Sequence, residues 1–312
     1  MTAPASSSDP AGLTAQAAHD LHRREGAGFA FIIACAAAFA FITPLSRISY
    51  DSGSTPLMIV TLRTAAFVLV AFGILLAKRQ RLRLSRHGLL NSLWLSVTAY
   101  GMSVGYLSSV AFIPVSLAVL ILYTSPLVAG LMSAVSGRER LTLGKSVAIV
   151  LAFIGLAVAI GPTFAALDWR GIAWALAASF SVASTSVFGG RAIAKDPPLT
   201  MNFFTNLWLL PLVLLLGPFT GSWGLPGSGI GGLAAAGAVS CYIAGYMLWF
   251  LALQRITGMQ VAMMMNIEPV VTIAFAVLVL GEHLSPIQYG GVVLTILALM
   301  AFTLGSRRRR AA

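Results

Sequence analysis

The stretch MQVAMMMNIEPVVTIAFAVLVLGEHLS, residues 259–285, is an apolar run long enough to cross a lipid bilayer. Moved back by 143 residues, it aligns with SLAVLILYTSPLVAGLMSAVSGRERLT, residues 116–142. The alignment matches Pro126 with Pro269 and Glu139 with Glu282. A proline and a glutamate with the same separation recur at one offset, which indicates an internal repeat.

The composition around this block is that of a membrane protein. The 312 residues are 58% hydrophobic and 9% charged, whereas about a quarter of a soluble domain is charged. So few charges cannot cover a water-facing surface, so most of the surface must face lipid. We predict an all-α integral membrane protein with ten transmembrane helices, at residues 27–47, 55–77, 88–110, 114–135, 143–162, 169–190, 200–218, 229–252, 257–280 and 286–305.

The distribution of Lys and Arg predicts the orientation. If the N-terminus is cytoplasmic, 17 of the 20 basic residues fall in cytoplasmic loops and tails, and only Arg47 and Arg170 fall outside. Basic residues concentrate in cytoplasmic loops. This asymmetry predicts that both termini are cytoplasmic, that the number of spans is even, and that the protein lies in the inner (plasma) membrane.

Each copy of the repeat would contain five spans. Because five is odd, the second copy enters the membrane from the opposite side, which is the inverted topology of many secondary transporters. We therefore predict a disordered tail at 1–26, a first five-helix repeat at 27–162, a second at 169–305 and a basic tail at 306–312. Two similar halves can pack in two near-equivalent ways, which predicts alternating access.

The sequence argues against other classes of function. The four histidines lie in the tail or in loops, and no HExxH, GxSxG or nucleotide-binding motif occurs, so neither a catalytic site, nor a metal, nor a cofactor, nor ATP is expected. The net charge of +11 is explained by topology and by lipid contact rather than by nucleic acid. A membrane-embedded enzyme and a receptor without flux remain as remote alternatives.

Two charged residues lie well inside predicted spans, away from the span ends. Glu268 lies about eleven residues into the ninth span, near mid-depth, where a carboxylate is costly and must face protein or water. It could couple protons, bind a substrate amine, or serve as a structural group beside Pro269. Arg63, in the second span, could bind a substrate carboxylate, pair with Glu268, or extend toward the interface.

Other residues complete the candidate site. Pro126 and Pro269 each remove a helix hydrogen bond, and we interpret them as a hinge or as a static kink. Aromatic and amide groups within spans could line a cavity for an amphipathic metabolite, although Trp and Tyr also form interfacial belts. These candidates are Tyr100, Tyr106, Tyr123, Trp174, Asn206, Tyr242, Trp249 and Asn266.

The repeated block, with its second copy IEPVVTIAFAVLVLGEHLSPIQYGG, resembles the signature of EamA-type transporters of the drug/metabolite transporter superfamily. The likeness extends over residues 28–304, and Arg63 resembles the arginine of the family's second helix. The first copy departs from the second: it has Thr-Ser-Pro where the second has Ile-Glu-Pro. The resemblance implies ten helices, a cavity between the halves and transport without ATP.

Within this class we expect efflux of an amino acid or a related small molecule, with proton coupling as an option. Uptake of a vitamin or another nutrient is the main alternative. The protein would contact membrane lipid and act as a monomer or a homodimer. Nothing in the residue pattern identifies the substrate.

Overall fold

The regular elements of the protein are helices throughout the part described by the computed structural model, residues 10–80, 82–136, 143–160, 168–188, 196–220, 223–256, 260–261 and 264–308. The α-helices in these ranges are α1 (Pro10–Tyr50), α2 (Pro56–Ala77), α3 (Arg86–Ser109), α4 (Val115–Leu122), α5 (Ser125–Val135), α6 (Leu143–Ile160), α7 (Trp169–Phe188), α8 (Pro198–Thr220), α9 (Gly229–Leu253), α10 (Glu268–Val279) and α11 (Pro286–Arg308). A 3₁₀ turn, Met265–Ile267, precedes α10.

Five helical segments in the described residues are long and apolar enough to cross a membrane: Glu25–Tyr50, Pro56–Ala77, Val115–Val135, Pro198–Leu215 and Gly229–Leu253. Shorter apolar helices cover Ser146–Ala159, Glu268–Val279 and Pro286–Ala301. The protein is therefore a helical membrane protein.

Helix α3 carries several buried hydroxyl groups. Ser92, Ser96 and Ser109 are fully buried, and each hydroxyl donates to a backbone carbonyl three residues earlier. Such local bonds satisfy the hydroxyl inside the helix itself, so a polar helix can be packed in the interior.

The N-terminal segment differs from the prediction. We expected a disordered tail over residues 1–26, but α1 begins at Pro10 and continues without interruption to Tyr50. The alanines at positions 11, 15, 17 and 18 favour helix, which is the physical reason for the difference. Residues 1–9 and 309–312 of the two predicted tails lie outside the described residues.

Serine caps mark the start of two helices at equivalent places. The hydroxyl of Ser85 caps α3 by accepting from the amide of Gly88, and that of Ser228 caps α9 by accepting from the amide of Gly231. Both caps follow the Ser-x-x-Gly pattern, and they are 143 residues apart, the offset of the repeated block.

The packing of the helices follows the same offset. Helix α1 packs against α9, and α3 packs against α7. A shift of 143 residues aligns α1 with α7 and α3 with α9, so each of these contacts is the repeat counterpart of the other. The contacts α2–α9 and α3–α8 exchange in the same way, whereas α2–α8 and α6–α11 each map onto themselves.

Two groups of helices result. In the first group α1 contacts α9 and α10, and in the second group α7 contacts α3, α4 and α5. Helices α2 and α8 pack against each other and connect the groups, since α2 also contacts α9 and α8 also contacts α3. The groups contact each other directly where α4 packs on α10.

Helices α6 and α11 cross at two glycines. A methyl group at Gly291 would overlap the backbone of Ala159 and lie 2.6 Å from the carbonyl oxygen of Gly155. Small residues of this kind allow helix backbones to approach closely in membranes.

This crossing yields a matched prediction. Gly291→Ala should destabilise the protein by about 1–3 kcal/mol, because the added methyl group overpacks a backbone contact. Gly290→Ala adds a methyl group that meets nothing within 4 Å, and it should leave stability unchanged or raise it by about 1 kcal/mol through helix propensity. Thermal unfolding of both purified variants measures the difference; equal melting temperatures would contradict the close crossing.

Candidate functional site

A cavity of about 320 Å³ lies between the two helix groups, at the end where α3 and α8 begin. Its volume is at the lower end of the range for small-molecule pockets. The wall combines apolar side chains with hydroxyl, amide and aromatic groups and includes no charged side chain among the described residues. The lining residues are Leu95, Thr98, Ala99, Met102, Val182, Thr185, Ser186, Pro198, Met201, Asn202, Thr205, Tyr246 and Trp249.

The wall formed by α3 and α7 is held by a close helix contact. A methyl group at Gly101 would overlap the Ser181 hydroxyl, and one at Gly105 would lie 2.9 Å from the carbonyl oxygen of Trp174. The same two helices are joined by a hydrogen bond of 2.8 Å from the Thr185 hydroxyl to that of Thr98. The two threonines therefore present polar groups to the cavity from a rigid wall.

A chain of aromatic rings continues from the cavity into the protein. Tyr246 and Trp249 line the cavity, with ring centroids 6.5 Å apart, and Tyr246 packs edge-on against Tyr242 at 4.9 Å. Tyr246 also contacts Phe67 at 5.2 Å and Phe39 at 5.3 Å. The hydroxyl of Tyr242 donates to the side-chain oxygen of the buried Asn206, at 3.0 Å.

Arg63 lies behind these rings. Its side chain is only 5% exposed, and its guanidinium carbon is 4.6 Å from the centroid of the Tyr242 ring. No ion pair joins Arg63 to Glu268 in the described part of the chain. The predicted alternative of an Arg63–Glu268 pair therefore does not correspond to the arrangement seen here, in which an aromatic ring is the partner of the arginine.

Glu268 lies at a break in the ninth apolar segment. It is half-buried, it follows the 3₁₀ turn, and its carboxylate is a hydrogen-bonding partner of the Tyr123 hydroxyl. Tyr123 also lies 3.5 Å from the carbonyl oxygen of Met265 and sits between α4 and α5, where the fourth apolar segment is broken. Glu268 and Tyr123 thus join the two helix groups at two matching helix breaks.

Both prolines begin a helix rather than interrupting one. Pro126 lies in the first turn of α5 and Pro269 in the first turn of α10. A first-turn proline needs no amide hydrogen for helix bonding, and its ring clashes with continuation of the preceding turn. The chain is therefore interrupted just before each proline, at Tyr123–Thr124 and at Met265–Ile267.

At the end opposite the cavity, a carboxylate closes the gap between the groups. Glu282, which follows α10, accepts hydrogen bonds from the amide of Val115 (2.6 Å), the amide of Ser116 (3.1 Å) and the Ser116 hydroxyl (2.6 Å). These amides belong to the N-terminus of α4, which favours a negative charge. Nearby, Arg47 of α1 donates to the carbonyl oxygen of Val110. We call these contacts of Glu282 and Arg47 the latch. Glu139, the repeat counterpart of Glu282, lies outside the described residues.

The other predicted site residues are distributed around this core. Tyr100 packs half-buried against the apolar cluster of α2, and Trp174 is half-buried on α7. The backbone of Asn266 lies in the 3₁₀ turn before Glu268, and its side chain is outside what the structure describes. Of the residues predicted to line a cavity, Trp249 is part of the wall. Tyr242, Arg63, Tyr123 and Glu268, whose side chains the structure describes, are not among its lining residues.

Sequence reasoning missed most of the wall, including Tyr246 and Asn202. One available signal was the spacing of Tyr242, Tyr246 and Trp249 at i, i+4 and i+7, which places three aromatic rings on one face of α9. The described residues contain no cluster of three His, Cys, Asp or Glu side chains that could hold a metal ion.

The chain is similar to proteins of a known transporter family. The sequence model of the EamA-like transporter family matches the chain twice, at residues 26–161 and 169–304. A solved crystal structure with 19% identity superposes with a TM-score of 0.61, covering 90% of this chain and 98% of that one, which supports the fold.

Among curated relatives, an uncharacterized transporter of Archaeoglobus fulgidus is 29% identical over 78% of this chain and 87% of its own length. The threonine/homoserine exporter RhtA of Escherichia coli K12 is 28% identical over 82% and 84%. A protein named as a probable amino-acid metabolite efflux pump in the same strain is 29% identical over 82% and 88%.

Fold and relatives together define a multi-pass membrane protein of the transporter class. The family matches cover most of the sequence, so the chain belongs to the EamA-like transporter family. The relatives are named as transporters and exporters and not as enzymes.

Proposed function

We propose that this protein is a secondary transporter that exports an amino acid or a related small metabolite by alternating access. The observation that carries the proposal is the asymmetry between its two ends. At one end the helix groups part around a cavity of metabolite size, and at the other the latch joins them. A passage open at one end and closed at the other is what alternating access requires of one state.

The second state, which is open on the opposite side of the membrane, follows from the inverted relation of two five-span halves. Helix contacts that exchange under the 143-residue offset, and the matching caps Ser85 and Ser228, support a two-fold relation between the halves. The loop after α2 is rich in basic residues, whereas its counterpart after α8 has none, which supports opposite orientations. In this topology α4 with α5 forms one span, the residues around the 3₁₀ turn with α10 form another, and the total is ten.

The same topology gives a direction to the cavity. The cavity is lined by the first residues of α8 and the last residues of α7, and we assign the basic segments that precede α3 and α8 in the sequence to the cytoplasm. The state described here is therefore inward-open, with both termini cytoplasmic and the latch on the outer face. An exporter loads its substrate in this state, and the bacterial exporter relatives support the inner membrane as its location.

Glu268 is the coupling group in this proposal. It bridges the helix groups through Tyr123 at the helix breaks, so its protonation would alter a contact that must change during transport. A carboxylate there can also receive the amine of a substrate. The relatives named for threonine, homoserine and amino-acid metabolites make amino acids the first substrates to examine.

The test is a flux assay in proteoliposomes. Vesicles containing the purified protein are loaded with radiolabelled L-threonine or L-homoserine, and release is followed with and without a pH gradient. We expect release at least tenfold above empty vesicles, accelerated by the gradient that drives exchange of proton for substrate. Binding without flux would favour a receptor, and flux only of vitamins or other nutrients in the uptake direction would replace the export proposal.

A further inference from the structure

The cluster around Arg63 has a property that the cavity wall lacks: a buried, uncompensated positive charge. Arg63 is 5% exposed, and its Nε has no hydrogen-bond partner among the described residues. Three acidic side chains of the described residues have partners other than Arg63. Asp51 pairs with Arg47 at 3.5 Å, Glu282 holds α4, and Glu268 bonds with Tyr123.

A buried arginine without an anion is unfavourable, since a charge removed from water needs a partner. The Tyr242 ring at 4.6 Å offsets part of this cost through a cation–π contact. That contact does not satisfy the Nε–H, which has no hydrogen-bond partner among the described residues. The edge of a guanidinium matches a planar carboxylate, which it binds through two parallel hydrogen bonds.

Tyr246 separates this arginine from the cavity. It lines the cavity wall, packs on Tyr242 at 4.9 Å, and lies within electrostatic range of both Arg63 and Glu268. The Tyr246 side chain is also a hydrogen-bonding partner of the Tyr242 side chain, so the two tyrosines form one aromatic pair between the cavity and Arg63. A ligand leaving the cavity past Tyr246 would come close to the stacked pair of Tyr242 and Arg63.

We propose that Arg63, stacked on Tyr242, is a carboxylate-binding subsite at the closed end of the cavity, and that Tyr246 is the aromatic screen between this subsite and the cavity. This rests on the proposed transport function and narrows its substrates to small molecules that carry a carboxylate. Arg63 receives the carboxylate, Glu268 faces the amine, and the hydroxyl groups of the cavity wall contact the rest of the ligand.

The test compares binding of amino acids with that of their carboxamides, which lack the carboxylate. The twenty proteinogenic L-amino acids and their carboxamides are added separately to purified full-length protein, and the melting temperature is measured over a range of ligand concentrations. We expect at least one acid to stabilise the protein, with an apparent affinity at least tenfold better than that of its carboxamide. In Arg63→Gln this preference should disappear, and in Arg63→Lys, which keeps the charge without the planar fork, it should be reduced.

Two further variants keep the inference testable if the Arg63 variants do not fold. Tyr242→Leu removes the ring beneath the guanidinium and should weaken acid binding, whereas Tyr246→Ala opens the screen and should keep the preference for acids. The inference is overturned if no acid stabilises the unmodified protein, if acids and carboxamides bind alike, or if Arg63→Gln keeps the preference. Export of amino acids without an acid preference would reject the subsite alone, whereas selective acid binding without flux would reject the transport function alone.

Discussion

In the Glu268→Gln variant we expect proton-driven export to fall more than tenfold while exchange of substrate for substrate continues. Glutamine keeps the size of the side chain and an oxygen that can accept from the Tyr123 hydroxyl, but it cannot bind or release a proton. The bridge between the helix groups is retained, so the variant should fold and should still change state when loaded. Only the step that depends on protonation is removed.

Both modes are measured in one preparation of proteoliposomes. Release of labelled substrate under an imposed pH gradient reports coupled export, and entry of label against an internal excess of the same compound reports exchange. Tyr123→Phe is the matched control, because it removes the hydroxyl that contacts Glu268 and the Met265 carbonyl but leaves the carboxyl group. That control should remain dependent on pH. If the pH dependence of flux is the same in Glu268→Gln and in the unmodified protein, Glu268 has no part in coupling.

Removal of the Glu282 carboxylate should have the second large effect, by opening the face that the latch closes. Glu282→Ala eliminates three hydrogen bonds to the start of α4. Hydrogen bonds to a charged group contribute roughly 1.5–3 kcal/mol each, so losing even one net interaction shifts a two-state equilibrium about tenfold or more. The inward-open state should lose population, and export should slow because loading from the cytoplasm becomes rarer.

The reactivity of a cysteine introduced behind the latch measures the opening of this face. Ala276 is fully buried on α10, one turn before the segment that carries Glu282. In protein whose native cysteines, Cys35 and Cys241, are replaced by serine, Ala276→Cys should react with a membrane-impermeant maleimide applied outside about tenfold faster when Glu282 is alanine. Glu282→Gln should be intermediate, since its amide oxygen still accepts from one donor.

The neighbouring His283 provides a control on the same loop. It is exposed, and His283→Ala should change neither labelling nor export. Unaltered labelling of Ala276→Cys in the Glu282→Ala variant would mean that other contacts keep the outer face closed, such as those between Ser52 and the Gly227–Ser228 pair. The latch would then be a structural cap of α4 and not a gate.

The effects of the Glu268 and Glu282 variants can be measured separately because the two side chains lie at different positions along the helices. Glu268 and Tyr123 meet at the helix breaks in the middle of the fourth and ninth apolar segments, whereas Glu282 meets α4 at its first residue. A defect in coupling leaves the exposure of Ala276 unchanged, and a defect in the latch leaves the pH dependence of the remaining flux unchanged. Measuring both quantities in both variants therefore assigns each residue its role.

The sequence by itself determined the class and the family of this protein, because both depend on local composition and on motifs. Apolar runs with few charges can fold only in lipid, and the repeated block around Pro126 and Pro269 is readable without any knowledge of packing. The position of Glu268 and Arg63 as charges within apolar segments was equally visible, since a charge in such a run is costly wherever it finally lies.

Only the tertiary structure decided which side chains share a cavity and which partner each buried group has. The cavity wall comes from α3 and from the consecutive helices α7, α8 and α9, which are distant from α3 in the chain. The faces that meet depend on helix rotation, which the apolar pattern of a lipid-exposed helix barely constrains. Arg63 therefore lies on Tyr242 and not on Glu268, and Tyr246 lines the cavity. Contacts between distant segments depend on packing geometry, which is a property of the assembled helices and of no single segment.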